Sequence, residues 1–212
     1  MYNKEILELF PTPLYTTQLP AELSSIIPFL NKQNMDSDSD EANFGCRSKN
    51  SYIFNTPECT DLKKFILDCV YDFATTSLLY EYKEYKFSQS WISHKYPGQH
   101  HSLHSHPNSL ISGVFYYGEP DENIPAIKFH KPLGGINTSY ISPKTKNDKR
   151  ESKFAWEVFS VDFEPGLLLL FPSYLLHSVP LNTTDKVRCS LAFNVIPTIG
   201  FGSEETLTEL LF

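Results

Sequence analysis

The spacing of apolar residues changes character near residue 84. Upstream, Leu62, Phe65, Ile66, Cys69, Val70 and Phe73 recur at three- and four-residue intervals, which puts them on one face of a helix over 57–79. Thr56 stands where a cap belongs, and Pro57 suits the first helical position. "AELSSIIPFLNKQN" (21–34) reads as a shorter helix broken near Pro28, and "ILELFPTPLYTTQLP" (6–20) as an extended strand punctuated by proline. From 84 onward the period is two: Tyr85, Phe87, Gln89 and Trp91 alternate with polar positions up to Pro97. Short apolar runs follow at 110–118, 126–130, 154–163, 166–173, 175–180 and 187–197, separated by Pro, Gly and Asn turns. Helices first and strands afterwards predict an α+β, mainly β, chain: a jelly roll with N-terminal helical support. All of 1–212 is expected to form a single domain, with a strand and helices in 1–83, the β-core in 84–197 and a tail in 198–212.

Composition sharpens this picture in a few places. Aromatic residues make up 14% of the chain, with 16 Phe and 12 Tyr, a bias that suits strands. The net charge of -7 argues against a nucleic-acid backbone as partner. Much of the Lys and Arg gathers in "KPLGGINTSYISPKTKNDKRESK" (131–153), a loop long enough to be either a lid that touches substrate or a surface excursion. "MDSDSDEANFG" (35–45) is acidic and reads as a surface loop. Cys46, Cys59, Cys69 and Cys189 form neither a CxxC pair nor a disulfide framework. That predicts a reducing, cytoplasmic setting. The first twenty residues lack a signal-peptide layout, and the longest apolar runs are far too short to span a membrane.

The candidate chemistry lies in "GQHHSLHSHPNSLISGVFYY" (98–117). Of 7 histidines, four fall between 100 and 106. In an extended chain residues i and i+2 point the same way, so His104 and His106 can share one divalent metal, each nitrogen about 2.0–2.1 Å from it. A third ligand must come from elsewhere, and His177 in "FPSYLLHSVPLN", at the end of an apolar strand, is the candidate. Taken alone, an HxH pair is equally at home among surface histidines. His100 and His101 read as solvated loop residues, and His94 and His130 as strand residues with ordinary hydrogen bonds. Eleven residues beyond His177, "RCSLAFN" (188–194) places Arg188, Ser190, Ala192 and Asn194 on one strand face and Val187, Cys189, Leu191 and Phe193 on the other. An Arg on so apolar a strand needs an anion. Either an internal Asp or Glu supplies it, or Arg188 and Ser190 receive a carboxylate ligand near the metal.

These motifs resemble the double-stranded β-helix oxygenases that use Fe(II) and 2-oxoglutarate. More narrowly, "LFPTPLY", "HSHPNSLISGVFYY", "GLLLLFPSYLLHSV" and "RCSLAFN" are similar to a group of such oxygenases frequent in phages and marine bacteria. "YPGQHHSLHSH" looks like the segment leading into their first metal ligands. The resemblance implies that His104, His106 and His177 bind iron. It also implies that the keto-acid end of 2-oxoglutarate chelates that iron while Arg188 and Ser190 hold its distal carboxylate, and that Tyr96 contacts the cosubstrate. O2 would convert 2-oxoglutarate to succinate and CO2 as an unknown substrate, a small molecule or a protein side chain, is hydroxylated, in the host cytoplasm if the chain is phage-encoded. One position departs from the pattern. The usual facial triad is two His and one carboxylate, and His106 stands where Asp or Glu is typical. Three histidines also describe a catalytic zinc site, so a zinc or cupin-like metalloenzyme and a non-catalytic jelly-roll binding protein remain as alternatives.

Overall fold

Burial on both faces explains the unbroken apolar runs. In the computed structural model, which describes residues 4–36, 45–131 and 153–212, β6 (Ile111–Tyr117) and β9 (Leu167–Pro172) are buried at every position. They lie inside a seven-stranded antiparallel sheet ordered β1 (Tyr15–Gln18), β9, β6, β11 (Arg188–Pro197), β4 (Tyr85–Lys95), β3 (Cys46–Ser48) and β2 (Met35–Asp36). Side chains alternate across a strand, so Phe115, Leu168, Leu170, Leu191 and Phe193 pack on one side against Leu62, Ile66, Val70 and Phe73 of the main helix. Val114, Tyr116, Leu167, Leu169 and Phe171 face the other way. There they meet a second sheet, ordered β5 (His101–His104), β10 (His177–Val179), β7 (Ile127–His130) and β8 (Val158–Val161). The result is a double-stranded β-helix buttressed by helices on one face. A short pair, β12 (Gly200–Phe201) and β13 (Leu210–Leu211), closes the chain. Among the described residues no helix is long and apolar enough to cross a membrane.

The helices follow the sequence with local differences. A 3-10 turn (Pro57–Cys59) leads into α2 (Thr60–Asp72), and a π-helical turn (Phe73–Ser77) ends it. Thr56 does not cap by its side chain; its hydroxyl donates backwards to the Ile53 carbonyl at 2.7 Å. Nor does Pro28 break the shorter helix. It sits in the first turn of α1 (Ile27–Asn31), after a 3-10 turn (Ala21–Ile26), where its missing N–H would have had no helical partner anyway. The loop 132–152 and residues 37–44 of the acidic segment lie outside the described residues.

One irregularity decides what faces the interior. The β4–β11 register slips between Asn194 and Val195, which pair with Gln89 and Phe87, so Ser88 is the extra residue of a bulge. Tyr85 and Phe87 therefore pack toward the helices, whereas Trp91, Ser93 and Lys95 face the space between the sheets. The simple alternation that put Trp91 with Tyr85 fails here, because one inserted residue reverses the parity of everything after it.

Close approach across β6 and β11 depends on Gly113. It pairs with Phe193, and a Cβ at residue 113 would fall 2.2 Å from that ring's Cζ and 2.8 Å from Leu170 Cδ2. Both neighbours are fully buried and have nowhere to move. Gly113→Ala should therefore destabilise the protein by about 1–3 kcal/mol and lower Tm by roughly 2–4 °C for each of those. A thermal melt with unchanged Tm would contradict this packing.

Candidate active site

The register fixes which side chains line the cavity between the sheets. Across β4, β11 and β6, Lys95 opposes Arg188, Ser93 opposes Ser190 and then Tyr116, and Trp91 opposes Ala192 and then Val114. Same-parity positions look the same way, and these look toward the smaller sheet. From that sheet His101, His104, His177, Ile127 and Val179 close the cavity.

Three histidines converge there. His104 ends β5 and pairs directly with His177, the first residue of β10. His106 lies two residues past the end of β5, held by its N–H to the Ser173 carbonyl at 3.0 Å. One ligand atom from each of the three lies within 4.8 Å of the others. His104 Nδ1 donates to the Ser102 carbonyl at 2.7 Å and His177 Nδ1 to the Leu175 carbonyl at 2.9 Å. A carbonyl can only accept, so both rings carry their proton on Nδ1 and leave Nε2 as a bare lone pair. His177 Nε2 is 3.3 Å from His106 Nε2. Two nitrogens about 2.1 Å from one ion and subtending 90–110° stand about 3.0–3.4 Å apart, so the spacing fits a shared divalent metal.

Electrostatics favour the same role. Burial, reinforced by repulsion between neighbouring imidazoles, holds His106 at about 4 and His177 at about 3, and burial lowers His104 as well. All three are neutral at pH 7, the form that binds metal. Rings of Phe129 and Phe171 pack against His177, and Trp91 lies 6.0 Å from His106 between centroids. The group contains no carboxylate. His101, read from the sequence as a solvated loop residue, belongs to β5 and stacks on His104 at 4.1 Å. Burial, then the neighbouring His104 imidazole and Lys95, push it down to about 2. The sequence hid it because a four-residue strand beginning in "HHSLH" has no apolar alternation to announce it.

Arg188 is 3% exposed. Its Nε donates to the Pro125 carbonyl at 3.0 Å and its Nη2 to the Tyr116 hydroxyl at 2.8 Å, with the guanidinium 4.7 Å from the Tyr116 ring centroid. No Asp or Glu among the described residues pairs with it, so the internal-acid alternative is not realised there. Ser190 lies beside it, buried, its hydroxyl donating to the Ser93 carbonyl at 3.3 Å. Tyr96 is not brought to the cavity. It stands 39% exposed, its ring edge-on to His94 at 6.2 Å and its N–H bonded to Gln99. His94 itself bonds Tyr117 at 3.0 Å on the helix side of the sheet, and His130 bonds Ser178 at 2.9 Å, the ordinary strand roles expected of them. Alternation along β4 puts Tyr96's neighbour, Lys95, into the cavity instead.

Residues 89–194, half of the chain, match a family described as "Putative 2OG-Fe(II) oxygenase". The chain belongs to this family. As a 2-oxoglutarate/Fe(II) oxygenase it uses Fe(II), 2-oxoglutarate and O2. No curated protein matches the oxygenase's sequence. Among solved structures it is similar to SnoN, a non-heme alpha-ketoglutarate-dependent epimerase from nogalamycin biosynthesis, with a TM-score of 0.64 at 10% identity over 89% of this chain and 80% of that one. HygX from Streptomyces hygroscopicus, solved with nickel, 2-oxoglutarate and hygromycin B, gives 0.62 at 13% identity over 88% and 84%. A Pseudomonas putida prolyl-4-hydroxylase gives 0.55 at 13% identity over 86% and 92%. At these identities the likeness is one of fold.

Proposed function

We propose that His104, His106 and His177 hold the iron of this oxygenase, that Arg188 and Ser190 receive the distal carboxylate of 2-oxoglutarate, and that the reaction hydroxylates a small molecule or a protein side chain. The observation that carries this reading is the convergence of three neutral imidazoles, distant in sequence, in one cavity with a buried guanidinium that has no acidic partner among the described residues. When bound, the iron supplies the oxidation of 2-oxoglutarate by O2 to succinate and CO2, coupled to oxidation of a substrate C–H bond.

The chain's own contribution is placement, dryness and charge. The Nδ1 bonds of His104 and His177 fix ring direction, as outer partners of metal-binding histidines do. Three neutral ligands cancel none of the ion's charge, which strengthens the cavity's pull on a dianion. Arg188 has five donors and spends two on Tyr116 and Pro125, leaving the rest of the fork for a carboxylate. Phe129, Phe171 and Trp91 keep bulk water from the imidazoles. Four free thiols, three of them buried, support a reducing, cytoplasmic setting.

Succinate release tests the assignment. Purified protein given Fe(II), 2-oxoglutarate and O2, with ascorbate as the two-electron reductant in place of the unidentified substrate, should form succinate, and chelator or substitution of Zn(II) should stop it. Zinc-dependent hydrolytic activity without succinate would favour the zinc reading over this one.

A further inference from the structure

The cavity holds a second buried cation that the function proposed above does not use. Lys95 is 2% exposed and directly opposes Arg188 across β4 and β11, a pairing that brings Cβ atoms to about 4.5–5.5 Å. Its ammonium donates to the Ser93 hydroxyl at 2.5 Å, on the same strand face, and both side chains line the cavity with the three histidines. No carboxylate among the described residues neutralises either cation. Two like charges buried side by side, facing a site for a divalent metal, are an unfavourable arrangement unless a ligand brings negative charge. Burial, and then the charge of Arg188, push Lys95 down to about 7, which is the same strain seen from the proton's side. The lysine is also held in place: a Cβ at residue 45 would fall 2.6 Å from Lys95 Cδ, and Gly45 takes a φ of +86° that other residues rarely adopt.

We propose that Lys95 is a second cationic anchor for the carboxylates of 2-oxoglutarate, acting beside Arg188, so that the cavity selects a dianion. The inference rests on the function proposed above. The keto acid needs only the metal and one cation to be held. The second cation explains why a polar, uncompensated lysine sits where packing alone would put an apolar residue.

Calorimetric titration of Mn(II)-loaded protein with 2-oxoglutarate, paired with thermal melts of the ligand-free protein, tests this. Lys95→Met should raise the Kd for 2-oxoglutarate about ten-fold or more, the loss expected of a hydrogen bond to a charged group. The same change should raise the ligand-free Tm, because it removes an unpaired buried charge. Lys95→Gln, shorter and polar, should show the same loss of affinity and guards against a folding failure of the first variant. An unchanged Kd in both variants overturns the proposal, as does a lowered Tm with unchanged Kd, which would mark Lys95 as structural. If the wild-type protein itself fails to bind 2-oxoglutarate, the underlying reading of the site falls instead.

Discussion

His177→Ala should lose tight Fe(II) binding and all succinate formation while the protein stays folded. His177 is 5% exposed and is the imidazole that lies against both His104 and His106. It pairs with His104 through the β10–β5 register and faces His106 Nε2 at 3.3 Å. Without it His104 and His106 remain, but two imidazoles no longer enclose an ion. Removing an outer hydrogen bond from a metal ligand costs roughly 10–100-fold in affinity, so removing the ligand itself should exceed about 100-fold. The side chain is wedged against Phe129 and Phe171, so Ala also leaves a gap. His177→Gln fills more of that space and serves as the control. Metal content by elemental analysis, with circular dichroism to check the fold, reads the outcome. Full iron occupancy in a folded His177→Ala protein would remove this residue from the ligand set.

Arg188→Met should leave metal binding near wild type and raise the Kd for 2-oxoglutarate by about 100-fold, within the range for truncating one partner of a buried, hydrogen-bonded charge pair. The fork is held from behind by Tyr116 and Pro125, so its position is set before any ligand arrives. Arg188→Lys should not rescue, because an ammonium offers a point charge without the planar fork and loses the stacking over Tyr116. The split between metal and cosubstrate distinguishes binding from folding: general destabilisation would weaken both. Retained 2-oxoglutarate affinity in Arg188→Met would contradict the role given to this residue.

Much of this site was legible because strand parity is a strong constraint. "RCSLAFN" divides into Arg188, Ser190, Ala192 and Asn194 against Cys189, Leu191 and Phe193, and the structure keeps that division: Arg188, Ser190 and Ala192 line the cavity and Asn194 accepts from the Ser112 hydroxyl, while the others pack on the helix face. The structure separates Phe115 and Tyr117 from Val114 and Tyr116 by the same alternation. Parity carries no information across a bulge, which is why the cavity face of β4, and Lys95 with it, escaped a reading that extended the Tyr85 alternation to Trp91. His106 reached the site by a different route from the one its spacing suggested. The strand stops at His104, and His106 is positioned by a backbone bond to Ser173 in the turn that leads into β10. Which histidine of "HHSLHSH" enters the cavity depends on the β5–β10 register, a pairing between segments far apart in the chain that local sequence does not encode.

A crystal structure grown without oxygen, with Fe(II) and 2-oxoglutarate, measures the central claim most directly. An anomalous iron peak should lie among the Nε2 atoms of His104, His106 and His177, with a ligand carboxylate on Arg188. Iron bound by other residues, or 2-oxoglutarate seated away from Arg188, would contradict it.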